Sequence, residues 1–87
     1  MKLKYEFAIS EVAGETVAVA VGADHRNMVI SLNSTALLLF SMLTEGTDAP
    51  AMVAALLENY EGLDEATARE DVEQFVQILR DKELLEE

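Results

Sequence analysis

Two periodicities divide the chain near Asn33. Before it, apolar residues recur every second position. Tyr5, Phe7 and Ile9 alternate with Lys4, Glu6, Ala8 and Ser10, the pattern of a half-buried strand. Ala13-Gly14-Glu15 supplies a turn, since Gly14 can take positive φ without steric cost. Val17, Val19 and Val21 then alternate with small residues, which completes a hairpin. Gly22 to Arg26 is a polar loop, after which Met28, Ile30 and Leu32 alternate with Asn27, Val29 and Ser31. The spacing predicts strands near 4–11, 16–22 and 27–32. Three consecutive strands with short links favour an antiparallel meander.

After Asn33 the period becomes helical. Asn33 or Ser34 can cap a helix near 34–45 that is apolar nearly all round and ends at Gly46, so it should be the most buried element. Thr47 or Asp48 can cap a second helix near 48–60, with Pro50 tolerated in its first turn. Its stripe is Val53, Leu56, Leu57 and Tyr60, and Gly62 stops it. Asp64 caps a third helix near 64–82, whose stripe is Ala68, Val72, Phe75, Val76 and Leu79. Leu84 and Leu85 are expected to pack at its end, and Glu86 and Glu87 to fray. Phe40 and Leu43 should meet Leu56, Val72 and Phe75 at the centre of the core. The order is that of a single α+β domain over residues 1–87: a three-stranded antiparallel sheet followed by three helices, winged-helix-like.

Composition narrows the functions open to such a domain. Apolar residues make up 51% of the 87, enough for one core, and the lack of cysteine excludes disulfides, thiolate metal sites and thiol nucleophiles. No apolar run approaches the ~20 residues of a membrane span. The start MKLKYEFAIS alternates polar and apolar residues, unlike a signal peptide, so a cytoplasmic protein is expected. Net charge is −11, and it is lopsided: residues 1–42 hold four acids against three bases, residues 43–87 thirteen against three.

The pair of helices around Glu61-Gly62-Leu63 could form a helix-turn-helix, and that imbalance bears on whether it binds DNA. A recognition helix needs Arg, Lys, Asn or Gln for bases and phosphates, whereas residues 64–82 carry six acids and only Arg69, Arg80 and Lys82 as bases. A nucleic acid would be repelled. Catalytic groups are equally scarce. His25 is the lone histidine, in a loop, and each glycine stands alone rather than in a phosphate-binding loop. Glu65, Glu70, Asp71 and Glu73 lie along a helix, not in the tight loop a hard-metal site requires. No catalytic residue, metal site or cofactor is expected.

The third strand is the remaining candidate. In a meander one side of Asn27 to Leu32 has no partner, and it contains no lysine, proline or other device that blocks an edge. It can therefore accept an extended peptide, or it can be an ordinary short edge. A monomer is expected, with dimerisation through this edge as its route to self-association.

A family resemblance bears on that choice. Ile30-Ser31-Leu32-Asn33-Ser34-Thr35-Ala36, running into Leu39-Phe40-Ser41-Met42-Leu43-Thr44-Glu45-Gly46-Thr47, resembles the middle of PqqD-family proteins: a strand ending in Leu-Asn, a capped apolar helix, then a glycine and a threonine. Ala68 to Leu79 resembles the family's last helix, with Asp71 before Val72 and a Phe75-Val76 pair. Phe40 departs from the tryptophan of many members but conserves a large aromatic. The resemblance implies a non-enzymatic domain that binds the leader segment of a ribosomally made precursor peptide. The leader would add as an antiparallel strand beside the third strand and lie in a groove against the third helix. The partners implied are that precursor and a peptide-modifying enzyme of the radical S-adenosylmethionine class, as in pyrroloquinoline quinone biosynthesis. Carried onto this sequence, the peptide-binding residues are Met28, Val29, Ile30, Ser31 and Leu32 on the strand and Asp71, Gln74, Phe75 and Ile78 on the helix. Phe75 and Ile78 offer an apolar floor, with Phe75 also available to the core, while Asp71 and Gln74 can pair with a basic or amide side chain. The rival readings are a winged-helix transcriptional regulator and a structural subunit of an enzyme with no ligand of its own.

Overall fold

The change of period at Asn33 is also the boundary between sheet and helices in the computed structural model of the protein, which describes residues 1–21 and 29–87. The elements run β1 (Lys2–Leu3), β2 (Phe7–Val12), β3 (Glu15–Ala20), β4 (Val29–Leu32), α1 (Ser34–Glu45), α2 (Ala49–Asn59), α3 (Glu65–Asp81) and β5 (Leu85–Glu86). Strands β2, β3 and β4 form an antiparallel sheet in that order, as the alternation predicts. The polar loop from Gly22, His25 within it, and Asn27 and Met28 of the expected third strand lie outside the described residues.

Each helix starts on an Asn or Asp whose side chain replaces a missing backbone acceptor. Asn33 accepts from the Ala36 amide at 2.8 Å, Asp48 from Ala51 at 2.9 Å and Asp64 from Thr67 at 2.7 Å. The Thr67 amide holds the Asp64 carboxyl below its ordinary pKa, because the bond favours the charged form. Gly46, at φ 102°, stops α1 and donates its N–H to Met42. A two-residue turn joins β2 to β3, with Ala13 at φ 54° and Gly14 at φ 84°, both left-handed as a type I′ hairpin requires.

The sheet's inner face differs from the one the valines suggest. Ala18 and Ala20 are buried, and Ala18 pairs with core residue Ile30. Val17, Val19 and Val29 share the opposite face, where Val29 is 55% exposed. The inner face of β3 is thus made of small residues, of which Ala18 joins the core, while the bulkier valines occupy the far side. Ile9 shares the inner face with Phe7 but overhangs the β2 edge and is 48% exposed. Phe7 reaches inward to Phe40, the rings meeting edge-to-face at 5.1 Å and 82°. Phe40, Leu43, Leu56 and Val72 are all buried in one core, with the half-buried Phe75 packed against it.

The ends of the chain correct two expectations. The strand expected over 4–11 is present but starts only at Phe7, and Lys2–Leu3 pairs with Leu85–Glu86 as a separate two-stranded ribbon that was not expected. Glu86 and Glu87 therefore do not fray. The cause lies at the end of α3, where Glu83 takes φ 58°, Leu84 N–H bonds Leu79 O, and Glu83 N–H bonds Arg80 O, both at 2.9 Å. This is a Schellman turn with buried Leu79 and Leu84 as its apolar contact, and it sends the chain back along β1. Arg80 then clamps Glu87 through two hydrogen bonds of 2.9 and 2.6 Å, holding that carboxyl below its ordinary pKa.

Hydrogen-bond direction follows from the register. Val12 and Glu15 close the two-residue turn, and Val21 N–H donates to Glu6 O at 2.9 Å. Odd-numbered β3 residues thus bond to β2, and Thr16, Ala18 and Ala20 turn their backbones to β4. Their partners Leu32 and Ile30 face β3, so the amides of Val29 and Ser31 face the free edge.

Two outcomes follow from this packing and register. Phe40→Ala should destabilise the domain by about 3–5 kcal/mol, read from urea unfolding as a lower midpoint at unchanged slope. Ile30→Pro should cost roughly 3 kcal/mol or more, through a lost ladder bond and lost core packing. Val29→Pro, which removes only an outward amide at a strand start, should keep the cooperative transition.

Candidate peptide-binding groove

Among the described residues the outer edge of β4 is open: the chain turns directly from Leu32 into the Asn33 cap, and the one later strand, β5, pairs with β1 instead. Of its four residues, Ile30 and Leu32 are buried, at 8% and 5% exposure, and serve the core. Val29 and Ser31 are exposed in side chain and, by the register, outward in backbone. Met28 lies outside the described residues.

Beyond the end of β4 a groove of about 210 Å³ opens between the first turns of α1 and the face of α3. Asn33, Thr35, Ala36 and Leu39 form one wall, and Asp71, Gln74, Phe75 and Ile78 form the other. The α3 wall is one helical stripe, because spacings of three, one and three residues return to the same face. Its depth is graded. Phe75 is half-buried and packs on the core beneath, while Ile78 is 48% exposed and forms an apolar lip. Asp71 is also half-buried, and among the described residues no cation or hydrogen-bond donor is paired with it. Gln74 reaches back to Glu70 at 3.4 Å, a long contact that a better acceptor or donor could replace.

All four α3 residues expected from the sequence are thus brought together, and the groove starts where β4 stops. Its α1 wall was not expected. Asn33 stood out only as a cap, and Ala36 and Leu39 merged into a helix apolar on every side, where periodicity cannot single out a face. The small Thr35 and Ala36, one turn before the bulky Leu39 and Phe40, are the signal that could have marked an opening there. Chemically, the groove offers an apolar floor, one unpaired carboxylate and a neighbouring strand edge with outward amides. Among the described residues, no cluster of His, Asp or Glu side chains could hold a metal ion.

Comparison with known proteins agrees with this architecture. The solved structure of TbiB1 in complex with the TbiA(beta) leader peptide is similar, with a TM-score of 0.75 and 26% sequence identity, covering 99% of this chain and 95% of that one. No curated protein sequence matches. Residues 10–85, from β2 to β5, match the family described as coenzyme PQQ synthesis protein D (PqqD). By its sequence and its fold, the chain belongs to the PqqD family.

Proposed function

We propose that this protein is a recognition element that captures the leader segment of a ribosomally made precursor peptide and presents it to a modifying enzyme. The observation that carries this reading is the β4 edge, unpaired among the described residues and with Val29 and Ser31 outward, which leads through Asn33 into the groove of Asp71, Gln74, Phe75 and Ile78. Family membership supports it, as does the similarity to TbiB1, whose structure holds a leader peptide.

The physical scheme is strand addition. Main-chain bonds to Val29 and Ser31 supply sequence-independent affinity, and alternate side chains of the leader enter the groove to supply specificity. An apolar leader residue fits against Phe75 and Ile78, and a basic or amide residue fits Asp71 and Gln74. Burying a cation beside the unpaired Asp71 carboxylate strengthens the pair relative to an exposed one. The acidic face of α3 argues against DNA as the ligand. The domain acts as an adaptor without chemistry of its own, and the enzyme it serves belongs to the radical S-adenosylmethionine class. It works as a monomer, because the edge a second copy would use is the one the leader occupies.

The test is titration with a synthetic leader segment from a precursor encoded beside its gene. Backbone amide shifts should cluster on 29–33 and 71–78. Asp71→Lys should weaken binding at least about tenfold, roughly 1.4 kcal/mol, while the unfolding midpoint stays near wild type. Saturable binding with shifts confined to the β2–β3 hairpin would place the ligand elsewhere and reject this groove.

A further inference from the structure

Helix α3 separates two open surfaces, and the leader groove uses only one. The stripe of Asp71, Gln74, Phe75 and Ile78 faces the start of α1. Roughly 170° around the helix, by the 100° advance per residue, lie Glu65, Arg69 and Glu73. These line a second and larger groove, of about 510 Å³, between α2 and α3. Its α2 wall is Ala49, Pro50, Val53, Ala54 and Leu57. Ala49 and Ala54 are small enough to let a backbone approach, and Leu57 is an exposed large apolar residue in the groove, at 36%. Among the described residues, a groove with an apolar α2 wall is thus left uncovered between two helices of the acidic C-terminal half of the sequence.

Charge decides what fits it. The groove's single cation, Arg69, is already paired with Glu65 at 2.8 Å, so Glu73 leaves the rim net negative. Helix α2 contains no lysine or arginine, and residues 43–87 hold thirteen acids against three bases. A second copy of this chain would bring the same acids against them, and like charges across an interface are repelled. An amphipathic helix with an apolar stripe and flanking lysines or arginines is complementary on both counts. We infer that the α2–α3 groove docks a basic amphipathic helix of a partner protein, and does so while the leader occupies the opposite side of α3. That the partner is the modifying enzyme rests on the recognition reading above; the chemistry of the groove does not.

The probe is a synthetic helical peptide of leucine and lysine, with leucines at i, i+3, i+4 and i+7, compared with its leucine–glutamate counterpart. Amide shifts of the intact protein should cluster on 49–57 and 65–73 with the lysine peptide and be absent with the glutamate one. Leu57→Glu should weaken the lysine peptide at least tenfold while the unfolding midpoint holds. Saturating leader peptide should leave that affinity unchanged. Shifts scattered over every acidic surface, unchanged affinity in Leu57→Glu, or competition with the leader would overturn the assignment. So would self-association abolished by Leu57→Glu, which would give the groove to a second copy. If the leader fails to bind but the lysine peptide docks as described, the recognition reading falls and the groove stands.

Discussion

Burial of α1 is the constraint on which the rest of this fold depends. Its sequence, Ala36 to Leu43, is too apolar to leave any long face in water, so it must be covered on several sides at once. The molecule does this with different elements: β1 and β4 on one side and α2 on another, with Phe7 of β2 closing on Phe40 edge-to-face. Leu39, Phe40 and Leu43 are nearly inaccessible, and each would create a cavity if truncated.

What α1 requires also determines what is left open. Because Leu32 hands directly to the Asn33 cap, β4 is the last strand of its sheet, and among the described residues its outer amides stay unpaired. Because α3 packs into the core through Ala68, Val72, Val76 and Leu79, the two flanks of that helix remain as grooves. The proposed leader site and the proposed helix-docking site are therefore by-products of one packing solution, set apart by the width of α3. An adaptor that must hold a peptide and meet a second protein gains from that separation, since neither ligand excludes the other.

Much of this was legible in the sequence, because local chemistry agrees with the tertiary outcome. The three caps, the Gly46 stop, the meander and the stripe of Asp71, Gln74, Phe75 and Ile78 each rest on a local pattern that the fold honours. The misreadings have a common cause in non-local packing. Nothing near Lys2–Leu3 indicates a partner some eighty residues away at Leu85–Glu86. The turn that brings them together uses Glu83 in a left-handed conformation where a glycine would have announced it. The α1 wall of the proposed leader groove stayed hidden because a helix apolar all round has no distinctive face.

The central claim is that a peptide joins this sheet as an added strand along β4, and backbone amide hydrogen exchange tests it most directly. In the free protein, Val29 and Ser31 should exchange fast, since their amides face outward, while Ile30 and Leu32 are protected by β3. On saturation with leader peptide, Val29 and Ser31 should slow by at least about tenfold, with little change at Ile30 and Leu32. Binding that leaves Val29 and Ser31 exchanging at their free rates would contradict strand addition and with it the mechanism proposed for this domain.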